Sequence, residues 1–475
     1  METLDYIPLD PALQQAITSE QAWHYGIVPK MAEAKALVFY AGFDFDDFLK
    51  DELEILLDKD VCIEKIETEI ISKTLGKYYR KAQNTSQSVS VQTNNADDFV
   101  AKLISEAKQL GSSDIHVEIY DEKARVRIRI DGLLVERYKL EKQEYPALVN
   151  KIKIRANLDI AEKRLPQDGR IFFEHDGNKF DIRVSVLPTL HGEKIVLRLL
   201  SNDAANIHIE ELGFTKDELS NYLEGIKKPH GIMLISGPTG SGKTTTLYAT
   251  LKILNEEKRN ILTVEDPIEY TLDGINQVQL KESIGLSFAA ALRTFLRQDP
   301  DVIMLGEIRD GETAQMAIRA ALTGHLVLST IHTNSAWGTV SRLTDMGVPP
   351  FLLANTLNTT VAQRLVRKLC SKCKKQEEFN ENLYPRKFKA LRKLETHFIP
   401  VGCEQCHYTG YKGRKALYEV IPLDYELADC IKNGLYQVDD KLAERNIKTL
   451  AVNAFELFET GITSLEEVYS LLLNH

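Results

Sequence analysis

Gly237-Pro238-Thr239-Gly240-Ser241-Gly242-Lys243-Thr244 carries glycines and a Lys-Thr pair at the spacing G-x-x-x-x-G-K-[ST]. Those residue types in that order suit the binding of phosphate. Glycines let backbone N–H groups converge on phosphate oxygens without Cβ clashes, and a following helix N-terminus adds favourable partial charge. Lys243 would reach the β- and γ-phosphates of a nucleoside triphosphate, and the Thr244 hydroxyl would ligate Mg²⁺, with Thr245 next in the same turn. The apolar run IMLIS precedes the loop and TTLYATLKIL follows it. That strand-loop-helix context argues against a glycine turn that binds nothing. No N-K-x-D segment follows, which favours ATP over GTP.

Two further strands are predicted to end in carboxylates. One runs into Glu265-Asp266-Pro267-Ile268-Glu269-Tyr270, and the other is Val302-Ile-Met-Leu-Gly306-Glu307. Open α/β sheets bind ligands at their carboxyl edge, where a carboxylate can orient attacking water. Gly306 stands where a generic Walker B strand carries Asp, which leaves Glu307 alone to act on Mg²⁺ or its waters. The segment GHLVLSTIHTN places His325 and His332 at opposite ends of a fourth strand. His332 suits a γ-phosphate sensor, and His325 a structural or coupling role. Arg293 and Arg297 are spaced i,i+4 and are predicted to share a helix face; an exposed basic stripe is equally compatible.

Cys370-x-x-Cys373 and Cys403-x-x-Cys406 are two knuckles separated by 29 residues. Four thiolates complete a tetrahedral Zn²⁺ site and leave no position for water, so the metal would be structural. Cys62 and Cys430 are isolated and expected to be buried. Arg364–Lys393 holds eleven Lys/Arg and three Glu. A solvated surface is the plain reading of that run, and contact with anionic phospholipid or an acidic partner at the membrane surface, through Lys387, Lys389, Arg392 and Lys393, the sharper one.

These groups need a scaffold, and the chain is long enough to supply one. Its 475 residues suggest about three domains. With 43% hydrophobic and 27% charged residues it is neither collagen-like, disordered nor a disulfide scaffold. No apolar run reaches the ~18 residues of a membrane span, and the start METLDYIPLDPALQQ lacks a signal-peptide pattern. A soluble cytosolic protein is expected. The net charge of −10 argues against a nucleic-acid partner.

The polar stretch 81–95 reads as a flexible linker after a first domain, residues 1–80. In that domain AEAKALVFYAG and DVCIEKIE read as strands, FDDFLKDELEILL as a helix, and ETEIISKTLGKYY as an amphipathic helix with apolar residues at Ile70, Ile71, Leu75 and Tyr78. Residues 96–205 read as an α+β domain with strands IHVEIY, ARVRIRID, IFFEHD, KFDIRVSVLP and EKIVLRLL, and turns at Asp131-Gly132 and Asp176-Gly177. Its stretch 123–170 holds thirteen Lys/Arg against seven Asp/Glu. From 206 to 475 short apolar strands alternate with helices, which predicts a parallel sheet flanked by helices.

Together GPTGSGKTTTLYATL, TVEDPIEY, RTFLRQDPDVIMLGEIRD, TGHLVLSTIHTN, AQRLVRKLC and GCEQCHYTGYKGR strongly resemble the secretion ATPases. Within them, the set is most similar to the hexameric E-type motors of type II secretion and type IV pilus assembly. SSDIHVE, RLPQDGRI and RVSVLPTLHGEKIVLRLL resemble that family's second N-terminal domain, and AWHYGIVPK more weakly its first. The resemblance implies an α/β, RecA-like P-loop ATPase core with a small zinc-binding lobe at 366–411. A PAS-like α+β second domain and a small α/β first domain would precede it. It makes TVEDPIEY an Asp box (Glu265, Asp266, Glu269) with Glu269 as catalytic base, and GEIRD a Walker B segment in which Gly306-Glu307 is normal. TGHLVLSTIHTN becomes a His box with His325 and His332. It also implies that Arg183, Arg198, Arg293, Arg297, Arg309 and Arg414 answer to nucleotide, and that Glu269, Glu307 and Lys243 carry catalysis. ATP, Mg²⁺ and Zn²⁺ are the implied cofactors. A homohexamer docked on an inner-membrane platform through residues 1–80 is the implied assembly, cytoplasmic and peripheral. The zinc lobe favours secretion and assembly motors over retraction motors, and the short first domain argues against cyclic-dinucleotide binding. Two other readings stay open: a ring-shaped nucleic-acid translocase, and a scaffold that binds ATP without turnover.

Overall fold

The computed structural model describes residues 6–7, 9, 13, 16–17, 19–32, 36–43, 45, 48–57, 59–79, 87–88, 96–175, 178–199, 207–385, 388–435 and 437–473. Most of the 81–95 linker, the Asp176-Gly177 turn and Lys387 lie outside them. The chain divides into two compact units, residues 1–87 and 88–475.

In the first unit α1 (Ser19–Tyr25) leads into β1 (Ile27–Ala32), β2 (Ala36–Gly42), α2 (Phe48–Leu57), β3 (Asp60–Ile66) and α3 (Thr68–Tyr78). β2 is central, antiparallel to β1 and parallel to β3. Alternation buries Leu37, Phe39 and Ala41, and α3 buries Ile71 and Leu75, with Tyr78 packed partly buried against the same core; Tyr79, just past the helix, is buried there too. Cys62 corrects an expectation. It is exposed, because its neighbour Val61 takes the inward position on β3; Cys430 is buried as expected.

In the second unit α4 (Ala96–Gln109) precedes β4 (Asp114–Ile119), β5 (Ala124–Ile130), β6 (Leu133–Leu140), α5 (Tyr145–Arg155), β7 (Gln167–His175), β8 (Asn178–Thr189) and β9 (Gly192–Leu199). The long strands lie antiparallel in the order β6-β5-β4-β9-β8-β7. Strict alternation in ARVRIRI turns Val126 and Ile128 onto the helices and leaves the arginines on the other face. β6 and α5 are not evident in the sequence pattern. β6 is half-buried throughout most of its length, and α5 carries Lys153, fully buried, in its apolar face. The Lys153 ammonium is held by Glu193 Oε1 at 2.8 Å and the Glu162 carbonyl at 2.7 Å.

The remainder adds α6 (Lys216–Lys227), β10 (Gly231–Ser236), α7 (Lys243–Leu254), β11 (Ile261–Glu265), β12 (Asn276–Gln279), α8 (Phe288–Phe295), β13 (Val302–Leu305), α9 (Gly311–Leu322), β14 (Leu326–Ile331), α10 (Gly338–Asp345), α11 (Pro350–Thr356) and β15 (Leu357–Leu369). A hairpin, β16 (Lys375–Glu378) and β17 (Thr396–Ile399), follows, then β18 (Tyr411–Pro422), α12 (Tyr425–Lys432), α13 (Asp439–Glu444), α14 (Leu450–Glu459) and α15 (Leu465–Leu472). The sheet order is β12-β11-β13-β14-β10-β15-β18. Every pair is parallel except β15 with β18, so the sheet is mixed rather than wholly parallel. β10, β11, β13 and β14 are buried at every residue, as sheets covered on both faces require. Their carboxyl ends align on one edge. No helix among the described residues is long and apolar enough to cross a membrane.

Candidate nucleotide site and metal centre

The loop between β10 and α7 takes its shape from three left-handed glycines, Gly237, Gly240 and Gly242, with φ of +152°, +79° and +88°. A Cβ on Gly237 would fall 2.5 Å from the Gln363 carbonyl oxygen, so no larger residue fits. Pro238, Thr239, Gly240 and Thr244 are exposed, Thr245 is partly so, and Ser241 is buried with its hydroxyl unpaired. Lys243 opens α7, and its ammonium donates to the carbonyls of Gly237 at 2.8 Å and Pro238 at 3.1 Å. Burial lowers its pKa; Glu307 opposes that shift and Arg364 adds to it.

One network joins the ends of β11, β13 and β14. Glu307 accepts from Arg309 and from His332 Nε2 at 3.2 Å, and Arg309 reaches Asp266 at 3.5 Å. Burial alone would push the Glu307 carboxyl up, but Arg309 and His332 outweigh it and hold the pKa below the ordinary value. Gly306 packs against the backbone of Glu265 and the Phe288 ring, where an added Cβ would meet them at 3.4 and 3.6 Å. Those are ordinary van der Waals distances, so space alone does not demand glycine where a generic strand has Asp.

The three Asp-box carboxylates separate. Glu265 is 3% exposed and turned inward, accepting from Tyr248 Oη, Thr263 Oγ1 at 2.7 Å and Gln277 Nε2 at 3.1 Å. Asp266 and Glu269 remain partly open to solvent. Arg183 on β8 reaches across to Glu269: it donates to the Ile268 carbonyl and lies 3.4 Å from Glu269 Oε2. Arg198 on β9 is 61% exposed and bonds Asp114 at 3.0 Å. A cavity of about 520 Å³ lies between, lined by Asp168, Arg170, Arg183, Ser185, Arg198 and Pro267.

Other candidate residues stand elsewhere. His325 Nδ1 donates to the Ala320 carbonyl at 2.8 Å and lies 3.1 Å from Thr323 Oγ1, tying α9 to the start of β14, at the end of that strand away from His332. Arg293 pairs with Glu312 on α9. Arg297 lies beyond the end of α8, not on it, and donates to the Arg293 carbonyl at 3.3 Å. Among the described residues neither makes a hydrogen bond to the phosphate loop, Glu269 or Glu307. Arg414 faces Asp131 at 4.0 Å, and the same turn accepts from Gly413 N at 2.6 Å.

The four knuckle cysteines converge, with all four sulfurs within 4.8 Å of one another. Cys370–Cys403 is 3.8 Å, and Cys373–Cys406 and Cys403–Cys406 are 3.7 Å. Metal–sulfur bonds of about 2.3 Å in a tetrahedron require sulfur separations near 3.8 Å. Gly402 N and Gly410 N donate to Cys373 and Cys406 sulfurs at 3.3 Å, which favours thiolates. The donor set fits structural zinc.

Residues 91–470 match the model of the type II/IV secretion system protein family. The type II secretion system ATPase E of Vibrio cholerae is 41% identical over 452 residues, spanning 92% of this chain and 89% of its own. This chain belongs to the type II/IV secretion system protein family. The type IV pilus assembly ATPase PilB of Myxococcus xanthus is 42% identical over 449 residues, covering 91% of this chain and 79% of its own. The solved structure of the pilus retraction motor PilT with bound ADP aligns at a TM-score of 0.53 and 27% identity, over 78% of this chain and 96% of its own. The family is one of ATPases that serve secretion and pilus assembly.

Within this secretion-family chain, the sequence reading overlooked Gln363 and Arg364. Thr246 Oγ1 on the phosphate-loop helix donates to Gln363 Oε1 at 2.9 Å. Arg364 donates to the carbonyls of Gln363 and Asn334 at 3.0 Å and Thr333 at 3.4 Å. The available signal was AQR breaking the otherwise apolar end of a buried strand.

Proposed function

We propose that this chain is a cytoplasmic motor that hydrolyses ATP to drive assembly of a pseudopilus or pilus in type II secretion or type IV pilus biogenesis. One observation supports it above the others: Lys243, Glu307, His332 and the Asp266-to-Glu269 segment share one sheet edge, and Arg183 from the 96–205 region meets that edge. In this reading the phosphate loop and Lys243 hold the β- and γ-phosphates. Thr244 and Glu307 would hold Mg²⁺, which when bound neutralises phosphate charge. Glu269 takes the proton from the attacking water, His332 senses the γ-phosphate, and Glu265 positions the Asp box from beneath through Tyr248. Arg183 and Arg198 bring the 96–205 domain to the nucleotide held by the 206–475 domain, so that turnover changes their separation. Arg293, Arg297, Arg309 and Arg414 would serve nucleotide in the assembled ring, a homohexamer held at the inner membrane through residues 1–80. Cys370, Cys373, Cys403 and Cys406 hold zinc as a structural element.

ATP hydrolysis by the wild type, Lys243→Ala and Glu269→Ala, with and without single-stranded DNA, tests this. Hydrolysis lost in both variants and unaffected by DNA is expected; strong DNA stimulation would overturn it in favour of a translocase. The lipid contact rests on Lys389, Arg392 and Lys393, which line a cavity of about 720 Å³ on the zinc lobe. Liposome binding unchanged by charge reversal at Lys387, Lys389, Arg392 and Lys393 would remove it.

A further inference from the structure

A guanidinium lies directly beneath the phosphate loop. Arg364 Nη1 would be 3.1 Å from a Cβ built on Gly237, so the loop begins on this side chain. It is half-buried, and its three acceptors are neutral carbonyls of Gln363, Thr333 and Asn334. Among the described residues no carboxylate lies within ion-pair distance of it. Glu419 acts on it from further off, but that carboxylate is committed to the backbone N–H groups of Ala336 at 2.8 Å and Leu450 at 3.0 Å. Burial pushes the Glu419 pKa up, which weakens it further as a counter-charge.

Gly237 therefore has two cations beside it. Lys243 donates to its carbonyl, and Arg364 Nη1 lies 3.1 Å from the place a Cβ on it would take. Hydrogen bonds to carbonyls need a donor but no charge. A half-buried guanidinium without a paired carboxylate is costly where a neutral donor would suffice, unless an anion arrives nearby. The anion this place admits is a polyphosphate held by the loop.

We propose that Arg364 is a positioning residue of the phosphate site: acting through the loop, its fixed charge selects for the β- and γ-phosphates, and its bonds to Thr333 and Asn334 hold the turn after His332. The inference rests on the ATP reading above and adds a residue to it.

Equilibrium binding of ATPγS and of AMP, by full-length wild type, Arg364→Lys and Arg364→Gln, tests it. Arg364→Gln should weaken ATPγS about tenfold, the scale of one partly buried charge, and leave AMP within about twofold. Arg364→Lys should retain most of the ATPγS affinity. Parallel losses for both ligands, or Lys and Gln variants that behave alike, would overturn the proposal and leave a structural arginine. Thermal melts check folding; should Arg364→Gln not fold, the ATPγS-to-AMP affinity ratio of Arg364→Lys decides, a wild-type-like ratio being expected and a collapsed ratio overturning it. Wild type that binds no ATPγS would instead overturn the ATP reading itself.

Discussion

Glu307 shows how a residue's neighbours set its chemistry. Burial disfavours its charge, and Arg309 with His332 restores it, so the folded pKa lies below the ordinary carboxyl value. A depressed carboxyl contributes stability that is present above the unfolded pKa and lost as pH falls through the folded one. Arg309→Ala leaves burial less opposed and should move the acid limb of the kcat profile to higher pH. A kcat–pH series on both proteins checks the direction. Tyr248→Phe removes one of three donors to buried Glu265 and should cost about 1–3 kcal/mol in urea unfolding. At this scale the sequence was legible where the site is contiguous. The glycine loop, Glu307 and His332 each announce themselves within a few residues. Gln363 and Arg364 did not, because their partners Thr246 and Thr333 are 117 and 31 residues away.

Among the elements, those with one dominant pattern were readable. Four apolar runs became the buried parallel strands β10, β11, β13 and β14, and alternation in β5 separated core from charge. β15 and β18 escaped because buried Thr359, Thr360, Gln363 and Glu419 interrupt their apolar pattern, and their pairing is antiparallel over a long excursion through the metal lobe. α5 escaped because of Lys153. That residue also gives the clearest energetic prediction here. Lys153→Met leaves Glu193 buried without its cation and should destabilise by about 3–5 kcal/mol. Replacing Glu193 by Gln as well should recover part of that loss. A double-mutant cycle in urea checks both, and additive losses would show that the two side chains act independently.

Across the whole molecule the question is how far a disturbance in the metal lobe travels. β15 runs from the floor of the phosphate loop at Gln363 to the first knuckle at Cys370, an apparent direct line between the two centres. The strand is clamped midway. Arg367 donates to Glu467 through Nε at 2.9 Å and through its backbone N–H at 2.8 Å. Thr463 Oγ1 donates to the Arg367 carbonyl at 2.8 Å, and Leu369 N to Ile462 O at the same distance. Beyond the clamp, Lys374 bonds the Gly461 carbonyl at 2.7 Å and Phe398 packs on Gly461, so the lobe leans on the segment between α14 and α15 rather than on the nucleotide edge. Stripping the metal, by chelation or by Cys403→Ser, should therefore lower the melting temperature and remove one zinc per chain while ATPγS affinity stays within about twofold. Metal content by elemental analysis, a thermal melt and calorimetric titration measure the three quantities on one sample. A parallel collapse of ATPγS affinity would mean that the Arg367–Glu467 clamp does not isolate the phosphate loop, and that β15 transmits the state of the lobe to it.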